Sequence, residues 1–185
     1  MLDTYGVVGA RPAAFAPDLS LKNGFLRALD DYEAYDPRTG VQYMSARGDF
    51  EGYLERLRRE EYEETTPIGY APCSHRWLFD GVTVVGFVRI RHHIDNPLLA
   101  EELGHIGYDV PPSYRGRGYG IASLQAGLEH ARKLGIRRAL IYANSNNPRS
   151  WRTIEHCGGM LEAERYSEIY QLMVKKYWID LASGL

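Results

Sequence analysis

Cysteines and long apolar runs are scarce in this sequence of 185 residues, and each scarcity excludes a class of protein. No apolar run approaches the ~20 residues that a helix needs to cross a bilayer, and no basic segment leads into an apolar stretch near residue 1. The two cysteines, Cys73 and Cys157, lie far apart and lack the spacing of metal ligands. Two reduced thiols fit this pattern better than a disulfide framework does. We therefore expect a soluble, cytoplasmic protein without a membrane partner or a metal ion.

Signs of a domain boundary are lacking as well. The sequence contains no internal repeat, no low-complexity tract and no break in composition. With 44% hydrophobic residues, 185 residues suffice for one domain with a substantial core. We predict a single domain over residues 1–185.

The net charge of −2 hides two segments of opposite charge. Residues 115–152 carry a net charge of +7, which favours a polyanionic ligand, and residues 49–64 carry −4. The acidic segment is interpreted as a solvated helix face with i,i+4 ion pairs; a rim that attracts a cationic amine is the alternative. The basic segment lacks interleaved aromatic residues and the whole protein is slightly acidic, so nucleic-acid binding is not expected.

Hydrophobic periodicity and turn residues predict alternating strands and helices. Two predicted strands, residues 77–79 and 82–94, form a hairpin around an Asp-Gly turn. The other predicted strands are residues 5–10, 103–110, 136–143, 160–166 and 169–179. The predicted helices are residues 19–32, 50–62, 118–134 stopped by Gly135, and a short helix opened by Asn147, with a loop at residues 36–40. Because a helical crossover joins the strands at 103–110 and 136–143, these two are expected to be parallel. The predicted fold class is therefore α/β of the α+β type, with a mixed sheet.

The most specific motif is a glycine-rich loop at residues 113–124, between a predicted strand and a predicted helix. Three glycines in five positions, Gly116, Gly118 and Gly120, let the backbone bring its N–H groups up to a ligand. The helix start adds unpaired donors and a partial positive charge. We interpret the loop as an anion-binding site rather than a flexible linker, because a clean helical periodicity follows it directly.

Two common phosphate motifs do not fit this loop. A Walker-A loop ends in Gly-Lys-Ser/Thr, whereas this loop continues as Gly120-Ile121-Ala122. A dinucleotide fingerprint needs a third glycine three positions after the second, and the positions concerned hold Ile121 or Ser123. The pattern that remains is Arg-x-x-Gly-x-Gly, beginning at Arg115, with the arginine ahead of the helix to meet a pyrophosphate.

With this pattern the chain resembles the GNAT superfamily of acyl-CoA-dependent N-acyltransferases, whose loop for the CoA pyrophosphate has the form Arg/Gln-x-x-Gly-x-Gly/Ala. The flanking segments support the resemblance, because the preceding strand and the following helix, strand and Asn-x-x-Ser motif (residues 147–150) come in the superfamily's order. Residues 104–108, with residues 89–92 upstream and 157–159 downstream, are similar to a bacterial branch of predicted acetyltransferases of mostly unassigned substrate. The resemblance covers roughly residues 67–180.

The resemblance implies a mostly antiparallel, twisted sheet of about six to seven strands flanked by helices, with a central parallel strand pair splayed apart around the pantetheine arm. It implies an enzyme that transfers an acetyl group from acetyl-CoA, its co-substrate, to a primary amine of a small molecule or a peptide, and that is a monomer or a homodimer. The residues expected to bind CoA are Tyr108, Asp109, Val110, Arg115, Gly116, Arg117, Gly118, Tyr119, Gly120, Ile121, Asn147 and Ser150. The backbone N–H of Val110 is also expected to stabilise the oxyanion. Asn147 is a helix cap by its own chemistry, and the two roles are compatible.

Candidates for proton transfer follow from the reaction. An amine with a pKa near 10 must lose a proton before it attacks. His105 is the first candidate for the base, because an imidazole pKa near 6.5 suits the task; a satisfied structural histidine is the alternative. Glu102 and Glu101 are further candidates, acting directly or through water. Tyr108 is the candidate donor of a proton to the leaving thiolate, or else a wall of the acyl pocket.

One position departs from the family pattern. Many members place a tyrosine four residues after the serine of Asn-x-x-Ser, and that position is Ile154 here. Because the usual acid is missing, a non-catalytic acyl-CoA-binding module or sensor is the alternative function. Four basic residues of the hairpin strand are interpreted as structural or as contacts to a substrate carboxylate; they are Arg89, Arg91, His92 and His93.

Overall fold

Residues 12–182 are described by a computed structural model, and the strand expected at residues 5–10 lies outside them. The strands are β1 (Ala13–Phe15), β2 (Cys73–Phe79), β3 (Val84–Arg91), β4 (Ile106–Asp109), β5 (Arg138–Asn144), β6 (Met160–Ser167) and β7 (Leu172–Asp180). The helices are α1 (Lys22–Tyr35), α2 (Pro37–Gly40), α3 (Ser45–Gly48), α4 (Phe50–Arg59), α5 (Tyr119–Lys133) and α6 (Pro148–His156). Short 3-10 turns and one π-helical turn, Leu99–Leu103, lie between them.

The strands form two antiparallel sheets, with the orders β1-β2-β3-β4 and β5-β7-β6. In the first sheet β2 and β3 form a hairpin that pairs Cys73 with Arg91 and Trp77 with Phe87. Its turn is closed by Asp80, whose carboxylate accepts the N–H groups of Val82 and Thr83, at 3.0 and 2.8 Å. The predicted Asp-Gly hairpin is therefore confirmed.

Strands β4 and β5 meet at the boundary between the two sheets. The His105 N–H donates to the Leu140 carbonyl at 2.8 Å, and the Leu140 N–H donates to His105 Nδ1 at 3.0 Å. Beyond this junction β4 pairs only with β3 and β5 pairs with β7, so a gap opens between the two strands. The predicted α/β fold, mostly antiparallel with a splayed central strand pair, is confirmed.

Two hydrophobic cores cover the two faces of the first sheet, because successive side chains of a strand point to opposite faces. Val88 and Ile90 of β3 pack toward α5, in a core that continues onto β5 and β7. Phe87 lies on the other face and packs with Trp77 under α1 and α4, in a core rich in aromatic rings. Phe25 of α1 is fully buried there, 4.7 Å from the Trp77 ring centre. The N-terminal helices thus form a layer over β2, β3 and β4.

Several predicted boundaries need correction. Strand β4 begins at Ile106 rather than residue 103, which lies in the π-helical turn, and β7 begins at Leu172 rather than residue 169. Helix α1 starts at Lys22 rather than residue 19, because Asp18 caps a separate 3-10 turn at Leu19–Leu21. The expected loop at residues 36–40 contains the short helix α2, since Asp36 accepts the Thr39 N–H and a proline occupies the first turn. Helix α4 ends at Arg59 rather than residue 62.

The end of α5 agrees with prediction. Gly135 follows the helix with a φ of +80°, a conformation typical of a glycine at a helix C-terminus. Within residues 12–182, no helix is both long enough and apolar enough to span a bilayer.

Candidate active site

The glycine-rich loop leads into the N-terminus of α5, and its conformation matches an anion-binding site. Gly116 and Gly118 have φ angles of +79° and +84°, which glycine adopts without strain. No side chain of residues 12–182 caps α5, so the N–H groups of Tyr119, Gly120 and Ile121 have no partner within the helix. A Cβ on Gly116 or Gly118 would meet no atom of the described residues within 4 Å. Open space beside unpaired N–H donors at the positive end of a helix dipole fits a pyrophosphate.

The same loop is attached to the C-terminal half of α1. The Ser113 N–H donates to the Asp31 carboxylate at 2.9 Å. The Arg115 guanidinium lies 2.6 Å from the Asp36 carboxylate, and its Nε donates to the Val110 carbonyl at 2.9 Å. A contact between Arg115 and a pyrophosphate stays a prediction, because two of its three nitrogens already hold the loop against α1 and the end of β4.

The remaining positions of the loop border the space between α5 and α6. Arg117 is exposed, with its guanidinium 5.5 Å from the Tyr114 ring centre. A Cβ on Gly120 would lie 3.6 Å from Thr153 Oγ1 of α6. A larger side chain at residue 120 would therefore narrow the channel between the two helices.

Strand β4 presents a free backbone edge to the gap. The His105 carbonyl accepts the Arg91 N–H of β3 at 2.8 Å. Because backbone groups alternate along a strand, the N–H and C=O of Tyr108 and the N–H of Val110 point away from β3. The predicted contacts of Tyr108 and Val110 with a pantetheine arm are compatible with this direction. The backbone of Asp109 points toward β3, so its predicted CoA contact is not favoured by the geometry.

The Tyr108 side chain crosses from β4 to the first turn of α6. Its hydroxyl donates to the Ser150 carbonyl at 3.1 Å and lies 3.3 Å from Ser150 Oγ. Burial raises the pKa of Tyr108 to about 12, so the hydroxyl keeps its proton at neutral pH. Asn147 caps α6 by accepting the Ser150 N–H at 3.2 Å, which confirms its predicted capping. Contacts of Asn147 and Ser150 with CoA stay predictions.

Position 154, where the family pattern has a tyrosine, faces the core. Ile154 is fully buried on the inner face of α6. Tyr108, the phenol that the sequence predicts for the site, arrives from β4 and reaches the first turn of α6 at Ser150 instead.

His105 lies at the closed end of the gap. Its side chain is 7% exposed and its Nδ1 accepts the Leu140 N–H. Burial, followed by the nearby positive charge of Arg91, lowers the pKa of His105 to about 4. The ring is therefore neutral at pH 7, with its proton on Nε2, and it joins the two strands. Its role as a base stays a prediction.

Glu102 lies in the π-helical turn and is held on the side of the second sheet. Its carboxylate accepts a hydrogen bond from the Ser167 hydroxyl. It also accepts one from each of the two terminal nitrogens of Arg165, both at 3.3 Å. Its side chain is 11% exposed, whereas that of Glu101 is 56% exposed. A base role for either carboxylate stays a prediction.

The Asp109 carboxylate is the centre of a polar cluster beneath the N-terminal helices. It accepts the hydroxyls of Tyr32 and Tyr43, the latter at 2.8 Å, and one nitrogen of Arg89 at 2.9 Å. Burial raises the pKa of both tyrosines above the ordinary value, so both remain donors. Buried charges are stable when they are paired and hydrogen-bonded in this way. The cluster fixes the helical layer to the end of β4.

A cavity of about 160 Å³ lies beside this cluster, between α4 and strands β2 and β3. Of its lining residues the sequence indicates only Arg89 as a candidate contact; the others include Gln42, Tyr53, Arg56, Leu57, Glu60, His75, Trp77 and Phe87. The spacing of Tyr53, Leu57 and Glu60 on α4 is the signal that places them on one helix face. Within residues 12–182, no group of three or more His, Cys, Asp or Glu side chains is arranged to hold a metal ion.

The sequence of the chain matches a known protein family. The sequence profile of the Acetyltransferase (GNAT) family matches residues 30–159. The chain belongs to the GNAT acetyltransferase family. This match starts well before residue 67, where the resemblance noted in the sequence becomes clear, and it includes part of the helical layer.

Among curated relatives of this GNAT family member, the mycothiol acetyltransferase of Corynebacterium glutamicum is 33% identical over 142 residues. The match covers 65% of this chain and 47% of the relative. The mycothiol acetyltransferase of Mycobacteroides abscessus is 35% identical over 75 residues, which are 40% of this chain and 24% of the relative. The chain thus spans a half or less of the length of these relatives.

Solved structures of acetyltransferases share the fold. RimJ of Mycobacterium smegmatis, in complex with a CoA disulfide, has a TM-score of 0.65 at 18% identity, covering 90% of this chain and 80% of that one. The microcin C7 self-immunity acetyltransferase MccE, in complex with acetyl-CoA and AMP, has a TM-score of 0.65 at 14% identity, covering 94% of both chains.

Proposed function

We propose that this chain transfers an acetyl group from acetyl-CoA to a primary amine of a small molecule or a peptide. The observation that carries the proposal is the uncapped N-terminus of α5, which follows an open glycine loop and lies beside the gap between β4 and β5. Related proteins named as acetyltransferases, two of them solved with CoA compounds, support the same activity. The expected cytoplasmic location and the monomeric or homodimeric state stay predictions.

The chain's own groups divide the work of binding. The N–H groups of residues 117–121 and the positive end of α5 hold the pyrophosphate. The free edge of β4 at Tyr108 and Val110 holds the pantetheine arm in the gap, with Asn147 and Ser150 on the far side. Bound acetyl-CoA supplies the thioester that the amine attacks.

The same residues act on the reaction. The Val110 N–H donates to the thioester oxygen as negative charge develops there, which lowers the barrier because the donor is already oriented. The amine nitrogen bonds to the carbonyl carbon, the carbon–sulfur bond breaks, and the nitrogen gives up one proton. Glu102 or Glu101 accepts that proton through water. His105 accepts it only in the tautomer with a free Nε2, in which Nδ1 carries the ring proton and no longer accepts the Leu140 N–H. The Tyr108 hydroxyl gives a proton to the departing sulfur.

A non-catalytic acyl-CoA-binding module is the second candidate, because the buried Ile154 removes the usual acid from α6. The two candidates differ in one measurement, the release of free thiol from acetyl-CoA in the presence of a broad set of amines. Thiol release that depends on an amine supports the enzyme. Binding of acetyl-CoA with no thiol release from any amine supports the module.

The binding site is tested by a matched pair of glycine variants at the two ends of α5. Gly118 and Gly135 have nearly the same φ, +84° and +80°, and both have open space around them. Gly118→Leu and Gly135→Leu therefore impose similar backbone strain, about 1–2 kcal/mol. We expect Gly118→Leu to reduce acetyl-CoA affinity at least tenfold by calorimetry, because its side chain covers the N–H donors. Gly135→Leu is expected to bind normally; equal affinities of the two variants would contradict the assigned loop.

A further inference from the structure

The cavity between α4 and strands β2 and β3 is lined in part by Arg89, whose guanidinium has unused hydrogen-bond donors. A guanidinium has five N–H donors. Both donors of Nη1 are taken, by Gln42 Oε1 and the Tyr43 hydroxyl at 2.9 Å each, and one donor of Nη2 is taken by Asp109 at 2.9 Å. Among residues 12–182 the Nε–H and the second Nη2–H have no partner. These two donors form one side of the guanidinium fork, which is the geometry that accepts a carboxylate.

This free edge is directed toward β4. Arg89 is paired with Gly107 in the β3–β4 register. A Cβ on Gly107 would lie 3.5 Å from both Nε and Nη2 of Arg89. Since glycine has no such atom, no side chain of residue 107 covers this side of the fork. The Arg89 side chain is 24% exposed, so an acceptor can reach it.

The cavity next to Arg89 is suited to a side chain. Its volume of about 160 Å³ is close to the ~150 Å³ of an engineered cavity that binds benzene. Tyr53, Leu57, Trp77 and Phe87 supply apolar walls, and all four are at most 5% exposed. Among residues 12–182 the Tyr53 hydroxyl has no hydrogen-bond partner. A ring or a branched aliphatic group fits this space.

The free donors and the cavity together specify an acceptor, whose identity rests on the proposed acetyl transfer. We propose that the acceptor is a free α-amino acid with an aromatic or branched aliphatic side chain. Arg89 holds the carboxylate over Gly107, and the side chain enters the cavity under α4. The amine, on the carbon next to the carboxylate, then faces the free edge of β4 at Tyr108. The amine of a peptide N-terminus has no adjacent carboxylate and does not meet this geometry.

The first test uses the wild-type protein and matched acceptors. Thiol release from acetyl-CoA is measured with phenylalanine, phenylalaninamide and 2-phenylethylamine, and with leucine, leucinamide and isopentylamine. We expect kcat/KM for the two amino acids to exceed that of the amides and amines by roughly 10- to 100-fold, because a fork built for a carboxylate is left unpaired by the analogues. Equal values across either set would overturn the proposal and would leave the acetyltransferase function standing.

The second test assigns the preference to Arg89. Arg89→Lys keeps the charge and removes the fork, and Arg89→Gln removes both; each is expected to bring the ratio of amino acid to amide near 1, without changing acetyl-CoA affinity. Arg76→Gln is the control, because Arg76 lies on the opposite face of the sheet and pairs with Glu61 at 3.2 Å. A preference for the carboxylate that survives in both Arg89 variants would overturn the assignment.

A third readout does not depend on turnover or on Arg89. Phenylalanine binding to the protein saturated with CoA is measured by calorimetry in wild type and in Leu57→Trp, whose larger side chain fills the cavity. Loss of phenylalanine binding in the variant supports the site even if no amine is acetylated, in which case only the proposed function fails. Unchanged binding in Leu57→Trp, or no binding to wild type, would overturn the cavity as the acceptor site.

Discussion

At the scale of single residues, the proposed acid for the leaving thiolate is Tyr108, on β4, rather than a tyrosine on α6. The family pattern places a tyrosine on the helix where this chain has the buried Ile154. Tyr108 reaches the first turn of the same helix from β4 and donates to the Ser150 carbonyl. Its pKa, raised to about 12 by burial, keeps it protonated across the range in which amines react. A phenol in this state is a proton donor rather than a base.

This role predicts the behaviour of Tyr108→Phe. We expect kcat to fall roughly 100- to 10,000-fold, the usual contribution of a positioned acid. Acetyl-CoA affinity is expected to stay within about twofold of wild type, because the backbone edge of β4 is unchanged. Steady-state kinetics and calorimetry measure the two quantities. Tyr166→Phe is the control, since that hydroxyl is exposed and bonds only Gln171 among the described residues. A normal kcat in Tyr108→Phe would assign the proton to another group.

At the scale of elements, the junction of β4 and β5 decides where the gap closes. Sequence periodicity predicts both strands and their parallel direction, because a crossover helix separates them. Periodicity does not show where they part into two sheets; His105 joins them at the closed end of the gap, through its backbone N–H and its ring nitrogen, both bonded to Leu140. An imidazole in this position must be neutral to accept at Nδ1.

The junction therefore predicts a pH dependence of stability. The pKa of His105 is about 4 in the folded protein and near 6.5 when unfolded. The group contributes stability that is fully present above about pH 6.5 and is lost as pH falls toward 4, by roughly 3 kcal/mol. His105→Asn, whose amide oxygen also accepts a hydrogen bond, is expected to show a flatter loss of unfolding free energy between pH 7 and pH 4. Urea denaturation at a series of pH values measures it.

The exposed His156 at the end of α6 supplies the control, His156→Asn. Parallel pH profiles of wild type and His105→Asn would show that His105 is not a neutral residue of the junction. A pH–rate profile of wild type with a limb near pH 6.5 that His105→Asn removes would instead favour its role as the base.

At the scale of the whole molecule, two cores share one sheet. The α5 side is a continuous core that reaches β5 and β7, and the aromatic core lies under α1 and α4. Polar contacts also connect the two sides, since Arg115 of the CoA loop pairs with Asp36 and Asp109 of β4 binds Tyr32 and Tyr43. Such connections favour one cooperative unit over residues 12–182.

The single-domain prediction is tested by unfolding with two local reporters. Trp77 lies in the aromatic core and Trp178 lies on β7 of the second sheet. Variants that retain one of these two tryptophans, with the others replaced by phenylalanine, are expected to show the same urea midpoint by fluorescence as by far-UV circular dichroism. Midpoints that differ between the two reporters would indicate that the helical layer unfolds separately.

Local physics in the sequence determined much of this protein. Glycine conformations, an Asp-Gly turn and an asparagine cap depend on neighbouring residues, so the loop at Gly116 and Gly118, the β2–β3 hairpin and the start of α6 were predictable. Recognition of Arg-x-x-Gly-x-Gly then indicated the family. Helical periodicity placed the long N-terminal helices within a few residues. It does not show the short helices α2 and α3 between them, because the ends of such helices depend on capping.

Only the tertiary structure decided which distant side chains meet. Arg89 and Asp109 are 20 residues apart and share a cluster with Tyr43, 66 residues from Asp109. The sequence indicates that Arg89 is on a strand, yet which of its donors remain free depends on the 3-10 turn Val41–Tyr43 and on β4, which supply its partners. For the same reason the glycine loop can be recognised from its local pattern, whereas the cavity proposed for the acceptor exists only because helix α4 packs across two strands.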